Sequence, residues 1–103
     1  MQIRWSQQAR ADLVEIFQFI AADEPKAARK LLNRIQQSAS TIGEQPLIGR
    51  VVPEFEVANI RERIVRPYRL IYRILNTDIL VLTVVHSRRV LDGAAGPPAA
   101  SEE

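Results

Sequence analysis

The chain has 103 residues, 47% of them hydrophobic and 25% charged, with a formal net charge of +2 at pH 7. This composition indicates a single globular domain and excludes a disordered chain. No apolar run reaches the roughly 18 residues of a transmembrane helix, and residues 1–5 lack the apolar core of a signal peptide, so we expect a cytoplasmic protein. The chain has no cysteine and one histidine, so we expect no disulfide, no metal site and no cofactor.

The first half of the chain predicts a short strand followed by two helices. Residues 2–5 are typical of a strand, and Ser6 is a suitable N-cap for the helix after it. In that helix, apolar residues recur at the spacing of one buried stripe, namely Ala9, Leu13, Ile16, Phe17 and Ile20. Residues 23–25 interrupt the pattern, and a second amphipathic helix continues from Pro25 to Gly43. The two helices together predict an αα-hairpin.

The second half predicts a β-sheet and a tail. Residues 43–59 contain Gly and Pro without periodicity, which indicates a loop or an edge segment. Three β-rich runs follow at residues 60–65, 68–75 and 79–85, and the last is apolar on both alternations, as in a central strand covered on both faces. Residues 93–103 carry too little apolar surface to fold, so we expect a flexible C-terminal tail after a domain of residues 1–92.

The order of these elements predicts an α+β fold. An N-terminal strand and the αα-hairpin pack on a small, mainly antiparallel sheet of about four strands, in which the first strand pairs with one of the last three. The register of the β-runs stays open. A two-residue turn at residues 66–67 sets Arg69 and Arg73 beside Glu62, whereas a one-residue slip sets them beside Arg61 and Arg63. The sequence therefore leaves open whether the arginines form one patch.

Basic residues are concentrated late in the chain. Twelve of the fourteen basic residues are arginines, and eight of those twelve lie from Arg50 onward. Arginine makes planar, bidentate contacts with phosphate and carboxylate groups, so a local excess predicts an anion-binding surface. For Arg61 and Arg63 the alternative is that charged residues protect an edge strand from aggregation.

Five motifs in the chain are spaced as in a known family. They are Ala9-x-x-Asp12-Leu13-x-x-Ile16-x-x-Phe19-Ile20, Pro46-x-x-Gly49-Arg50, Ile60-Arg61-Glu62, Tyr68-Arg69-Leu70-Ile71-Tyr72-Arg73-Ile74 and Val84-Val85-His86-x-x-Arg89. With these motifs, residues 2–91 resemble the RelE/ParE superfamily of bacterial toxins. The resemblance implies the toxin of a type II toxin-antitoxin system of the plasmid-stabilisation type. Its partner would be a cognate antitoxin, whose flexible C-terminal segment wraps the toxin in a hetero-oligomer.

The resemblance implies one of two targets. RelE-like members bind the ribosome and cleave its mRNA as endoribonucleases, whereas ParE-like members poison DNA gyrase without a reaction of their own. In the RelE-like alternative, Arg69 matches the transition-state arginine and Arg89 or Arg88 matches the basic residue after the last strand. His86 is the side chain suited to acid–base work near neutral pH. Whether the protein is an enzyme therefore depends on which target applies.

The chain departs from the RelE pattern at two places. It has no lysine cluster, since Lys26 and Lys30 are its only lysines, and no aromatic residue follows Tyr72. These departures favour the ParE-like alternative, growth inhibition through gyrase binding. A further alternative is a superfamily member that binds its antitoxin without being toxic.

The candidate site residues form two groups. Catalytic roles fall on Arg69, His86 and Arg89 if the protein is RelE-like, and target or nucleic-acid contacts fall on Arg61, Arg63, Arg73 and Arg88. Glu54 and Glu56 are either acidic candidates for the catalytic set or solvated loop charges. The resemblance also implies an exposed apolar groove in which an antitoxin segment docks.

Overall fold

The computed structural model describes residues 1–98, and the end of the predicted tail, residues 99–103, lies outside the described residues. The elements in chain order are β1 (Gln2–Trp5), α1 (Gln7–Ala21), α2 (Pro25–Glu44), a 3-10 turn (Pro46–Ile48), β2 (Arg50–Val51), β3 (Ile60–Val65), β4 (Tyr68–Ile74) and β5 (Asp78–His86). None of the helices in residues 1–98 is long and apolar enough to cross a membrane.

The predicted αα-hairpin is confirmed, with the expected N-cap on α1 and with α2 ending at Glu44, one residue beyond the expected Gly43. Ser6 is the N-cap of α1, because its Oγ accepts a hydrogen bond from the backbone N–H of Ala9 at 3.0 Å. The same hydroxyl donates to the carbonyl of Leu82 at 2.8 Å, which fixes the start of α1 against β5. Pro25 occupies the first turn of α2, where its missing N–H costs no helical hydrogen bond.

The sheet has five strands in the order β1-β5-β4-β3-β2. β1 runs parallel to β5, and the other three pairs are antiparallel, so the predicted mainly antiparallel α+β fold is confirmed. The prediction counted about four strands, and the fifth is β2, a two-residue edge strand that pairs with Glu62 and Arg61 and lies within residues 43–59, the segment expected to be a loop or an edge. Two residues are too few to show an alternation in the sequence.

The β3–β4 hairpin has the register of the two-residue turn. Ile64 lies opposite Arg69, and Ile60 lies opposite Arg73. Because side chains alternate between the faces of a strand, Arg69 and Arg73 share one face of the sheet, and Arg61 and Arg63 lie on the other. The arginines of the two strands therefore do not form one patch.

The sheet carries a separate hydrophobic core on each face. The face under the helices holds the larger core, with Leu31, Ile35, Ile42, Leu70, Tyr72, Ile79 and Val81 among its members. The opposite side, called the far face below, buries Val52, Ile60, Ile71, Leu80, Leu82 and Val85, over which Phe55 and Leu91 pack. β5 contributes to both cores and is buried from Ile79 to Val85, which confirms the prediction of a strand covered on both faces.

Candidate functional site

Arg69 is buried on the far face, with only 4% of its surface exposed. Its Nε donates to Glu62 at 2.6 Å, and its two terminal nitrogens donate to the two carboxylate oxygens of Glu54 at 2.7 and 2.8 Å. One terminal nitrogen also donates to the backbone carbonyl of Arg89 at 2.8 Å. Each nitrogen of the guanidinium therefore already has an acceptor within the protein.

The two carboxylates around Arg69 have further partners. Glu62 is 2% exposed and also accepts from Nε of Arg50 at 2.5 Å, while Glu54 accepts from the backbone N–H of Leu91 at 3.0 Å. The hydrogen bonds from Arg69 lower the pKa of Glu54 to about 2, and those to Glu54 and Glu62 hold the pKa of Arg69 above its ordinary value. Arg50, Glu54, Glu62 and Arg69 thus form a charge-balanced group, called the far-face network below.

The segment after β5 crosses the far face at this network. We call residues 89–93 the strap: the Arg89 carbonyl and the Leu91 N–H bond to Arg69 and Glu54, and Leu91 packs on the far-face core. At Gly93 the strap runs so close to the preceding loop that a Cβ would collide with the carbonyl oxygen of Glu54. The far-face network therefore joins β2, β3, β4, a loop and the strap.

His86, Arg88 and Arg89 lie together at the exposed end of β5. Nδ1 of His86 accepts a hydrogen bond from the backbone N–H of Arg88 at 3.1 Å. The imidazole also meets the ring of Tyr68 edge to face, with 5.8 Å between the ring centroids. This end of the sheet is accessible to a large partner, in contrast to Arg69.

A groove runs between α1 and this end of the sheet, and we call it the α1–β5 groove. Apolar residues from both walls line it, together with charged residues and His86: Asp12, Glu15, Ile16, Phe19, Tyr68, Val84, Val85, His86 and Arg89. Phe19 is 78% exposed. A large aromatic side chain is seldom this exposed unless a binding partner covers it.

Asp12 fixes one wall of the α1–β5 groove to the other. Its Oδ2 accepts from the hydroxyl of Thr83 at 2.5 Å and from the backbone N–H of Val84 at 2.9 Å. These bonds fall where β5 carries an extra residue, since Ile71 pairs with Thr83 and Tyr72 pairs with Val81. Asp12 therefore satisfies backbone that the bulge leaves unpaired.

The other predicted contact residues are dispersed. Arg61 donates to the carbonyls of Gly49 and Ala58, both at 3.0 Å, which is a structural role. Arg63 lies on the helix side of β3, whereas Arg73 lies on the far face with a buried Nε that has no hydrogen-bond partner among residues 1–98. Of the predicted site residues, only His86, Arg88 and Arg89 are brought together at an accessible place.

Two residues have structural roles that depend on the fold. Glu62 lies in a recognised motif, but its role depends on which strand position faces Arg69. Tyr72 packs in the core under the helices, and its hydroxyl donates to the Pro46 carbonyl at 2.6 Å and accepts from the Gly49 N–H at 3.0 Å. Burial raises the pKa of this phenol. The sequence carries one signal for Glu62, because an acidic residue at a core-facing position of a strand with alternating apolar and polar residues indicates a buried ion pair.

Residues 1–98 contain no cluster of three or more His, Cys, Asp or Glu residues that could hold a metal ion. The chemistry available at the exposed end of β5 is that of guanidinium groups and one imidazole. These groups bind anions.

Comparison with known proteins identifies two relatives described as toxins. The protein Y4kP, a candidate toxin of Sinorhizobium fredii, is 33% identical over 90 residues, which cover 85% of this chain and 90% of that protein. Toxin RelE2 of Caulobacter vibrioides is 29% identical over 90 residues, covering 86% of this chain and 98% of the toxin.

Solved structures share the fold. The chromosomal ParDE system from P. aeruginosa superposes with a TM-score of 0.70 at 22% identity, over 84% of this chain and 95% of that chain. The toxin-antitoxin complex RelBE2 from Mycobacterium tuberculosis gives a TM-score of 0.59 at 25% identity, over 82% and 95% of the two chains. The profile of the family described as "ParE toxin of type II toxin-antitoxin system, parDE" matches residues 3–91. The chain therefore belongs to the ParE family of type II toxins, within the RelE/ParE superfamily.

Proposed function

We propose that this toxin acts by binding DNA gyrase, without cleaving RNA itself, and that a cognate antitoxin neutralises it. The observation that carries the proposal is the state of Arg69. Cleavage by a ribose 2′-hydroxyl needs donors that reach the negative charge developing on the phosphate. The guanidinium expected to supply them is 4% exposed and bonded to two carboxylates.

Releasing Arg69 from the far-face network has a large free-energy cost. Turning it toward a ligand leaves Glu62, whose side chain is fully buried, with Arg50 as its remaining ion-pair partner, and leaves Glu54 without one among the described residues. An uncompensated buried charge costs several kcal/mol, about 3–5 kcal/mol when one partner of a buried pair is lost. The family match to ParE toxins agrees with a protein that works through its surface.

Ribosome-dependent mRNA cleavage is the second candidate. It is favoured by the exposed His86 beside Arg88 and Arg89, and by the relative named RelE2. In this alternative His86 takes the proton of the 2′-hydroxyl as its oxygen bonds to the phosphorus, and returns a proton to the 5′-oxygen as its bond to the phosphorus breaks. Arg89 binds the phosphate, so that the reaction runs without Arg69.

The antitoxin is proposed to dock in the α1–β5 groove. A partner segment with apolar side chains would cover Phe19 and the exposed edge of the groove, and its charged residues would find both carboxylates and cations on the rim. The structural neighbour RelBE2 is itself a toxin-antitoxin complex, which supports a partner of this kind.

A paired assay tests the proposal. Purified toxin, freed of antitoxin, is added to a gyrase supercoiling reaction and to a translating extract in which mRNA ends are mapped by primer extension. We expect loss of supercoiling and intact mRNA. Codon-phased cuts that disappear in His86→Ala, with gyrase unaffected, would instead establish the ribonuclease. No effect in either assay, and no growth defect on induction, would indicate a member that only binds its antitoxin.

A further inference from the structure

A second cleft lies at the end of the sheet, beside the α1–β5 groove, with which it shares His86, and outside the far-face network. The β3–β4 turn and the segment after β5 line it, through Ile64, Arg66, Pro67, His86, Ser87 and Arg88. We call it the turn cleft. The backbone N–H of Ser87 donates to the carbonyl of Pro67 at 2.8 Å, and Tyr68 pairs with His86 across the adjacent strands. The two walls of the turn cleft are therefore held in a fixed relation.

The turn cleft is cationic and has no carboxylate in its lining. Arg66 and Arg88 are exposed, and within residues 1–98 neither forms an ion pair. By contrast, Arg4 pairs with Asp78 at 3.0 Å, and Arg50 and Arg69 belong to the far-face network. Two guanidiniums without an ion pair and an imidazole around one open cleft produce a local positive potential.

We propose that the turn cleft binds the phosphate backbone of duplex DNA, so that the toxin contacts the DNA held by its target as well as the target itself. This inference rests on the proposed action on gyrase, an enzyme that works on DNA. Arginine binds phosphate through two parallel hydrogen bonds. The cleft is open, which suits a polymer that passes through it, and its apolar part, Ile64 and Pro67, can lie against sugar carbons.

The composition of the cleft favours a duplex over a single strand. Proteins that bind single-stranded nucleic acid stack its bases on aromatic side chains. No Phe, Tyr or Trp side chain lines the turn cleft, because Tyr68 belongs to the core under the helices and to the α1–β5 groove. The one ring in the lining, the imidazole of His86, already packs edge to face against Tyr68. A site built mainly from guanidiniums reads the backbone and not the bases.

Binding to DNA is measured by fluorescence anisotropy of a labelled duplex, with a single strand of the same sequence and an RNA hairpin as comparisons. The test variant is Arg66→Gln/Arg88→Gln. The matched control is Arg29→Gln/Arg34→Gln, which removes the same charge from exposed positions of α2. Thermal melts of both variants establish that they are folded.

We expect the cleft variant to bind duplex DNA about tenfold more weakly than the wild type at moderate salt, and the slope of log K against log salt to become shallower by about 2, since two phosphate contacts are lost. The control variant should keep the wild-type slope. Equal binding by the two variants would overturn the proposal, as would tighter binding of the single strand or of the RNA.

The gyrase assay separates this inference from the proposed function. If the cleft variant loses both DNA affinity and inhibition of supercoiling, both are supported. If it keeps wild-type DNA affinity but binds gyrase less well in the absence of DNA, the cleft contacts an acidic protein surface and the DNA proposal is wrong. If the wild type leaves gyrase unaffected, the proposed function fails, and the anisotropy comparison still decides whether the cleft binds DNA.

Discussion

Replacement of Arg69 by alanine removes the one cation that Glu54 and Glu62 share. Glu62 keeps Arg50, whose own side chain is 66% exposed, and the side chain of Glu54 is only 14% exposed. Loss of one member of a buried ion pair costs about 3–5 kcal/mol, and a domain of this size has a total stability of about 5–15 kcal/mol. We therefore expect Arg69→Ala to be close to unfolded at physiological temperature.

The effect is measured by thermal and urea unfolding followed by circular dichroism. At about 4 °C or more per kcal/mol for a domain near 100 residues, the expected decrease in Tm exceeds 10 °C. Arg34→Ala, at an exposed position of α2, is the control and should change stability by no more than about 0.5 kcal/mol. A triple variant, Arg69→Met/Glu54→Gln/Glu62→Gln, should recover part of the loss because it leaves no buried charge without a partner.

A different result would refute this reasoning. If Arg69→Ala melts within about 2 °C of the wild type but loses toxicity, Arg69 acts on the target and the far-face network does not hold the fold. If toxicity and stability fall together, loss of toxicity is no sign of catalysis. Arg69→Ala alone therefore cannot distinguish a ribonuclease from a gyrase poison.

Three further perturbations test other parts of the structure. The pKa of Glu54 is about 2 in the folded protein, against an ordinary value of 4.5. The ionised Glu54 therefore contributes fully to stability above about pH 4.5, and this contribution is lost as the pH falls toward 2. Urea midpoints should decline across this window in the wild type and less steeply in Glu54→Gln. Tyr72→Phe leaves the Gly49 N–H and the Pro46 carbonyl without their partner, and should lower the free energy of unfolding in urea by about 1–3 kcal/mol. The control is Tyr68→Phe, which should be nearly neutral because the Tyr68 hydroxyl has no hydrogen-bond partner among residues 1–98. Asp12→Ala leaves the Val84 N–H unpaired at the β5 bulge, and should lower the free energy of unfolding by a similar amount and speed amide exchange at Val84. Asp23→Ala, at an exposed position after α1, should change neither the stability nor the exchange rate.

Local patterns predicted the elements better than the contacts between them. The stripe of α1, the Ser6 cap and the double-sided β5 follow from spacings within one segment, and the structure confirms all three. β2 was not counted because a two-residue strand exists only through its pairing with β3. Whether Arg69 and Arg73 join Arg61 depended on one residue of register.

In the candidate site too, proximity within one segment could be predicted, and contacts between segments could not. His86, Arg88 and Arg89 are neighbours in the sequence, so their proximity needed no fold. The contact of Arg69 with Glu54 spans 15 residues and passes through an aperiodic loop, and no local pattern distinguishes such a carboxylate from a solvated one. The sequence thus identified Arg69 as important, while the structure shows what it touches.

The parallel pairing of β1 with β5 has a consequence for how the chain folds. Gln2 lies opposite Asp78 and Trp5 lies opposite Val81, so β1 can pair only when β5 is present. Pairing the two strands closes the loop formed by the intervening chain, which makes folding slow and cooperative. A polypeptide interrupted before Asp78 lacks the partner of β1, the acceptor for Ser6 and the strand that contributes to both cores. Truncated translation products are therefore expected to be harmless to the cell without any antitoxin to restrain them.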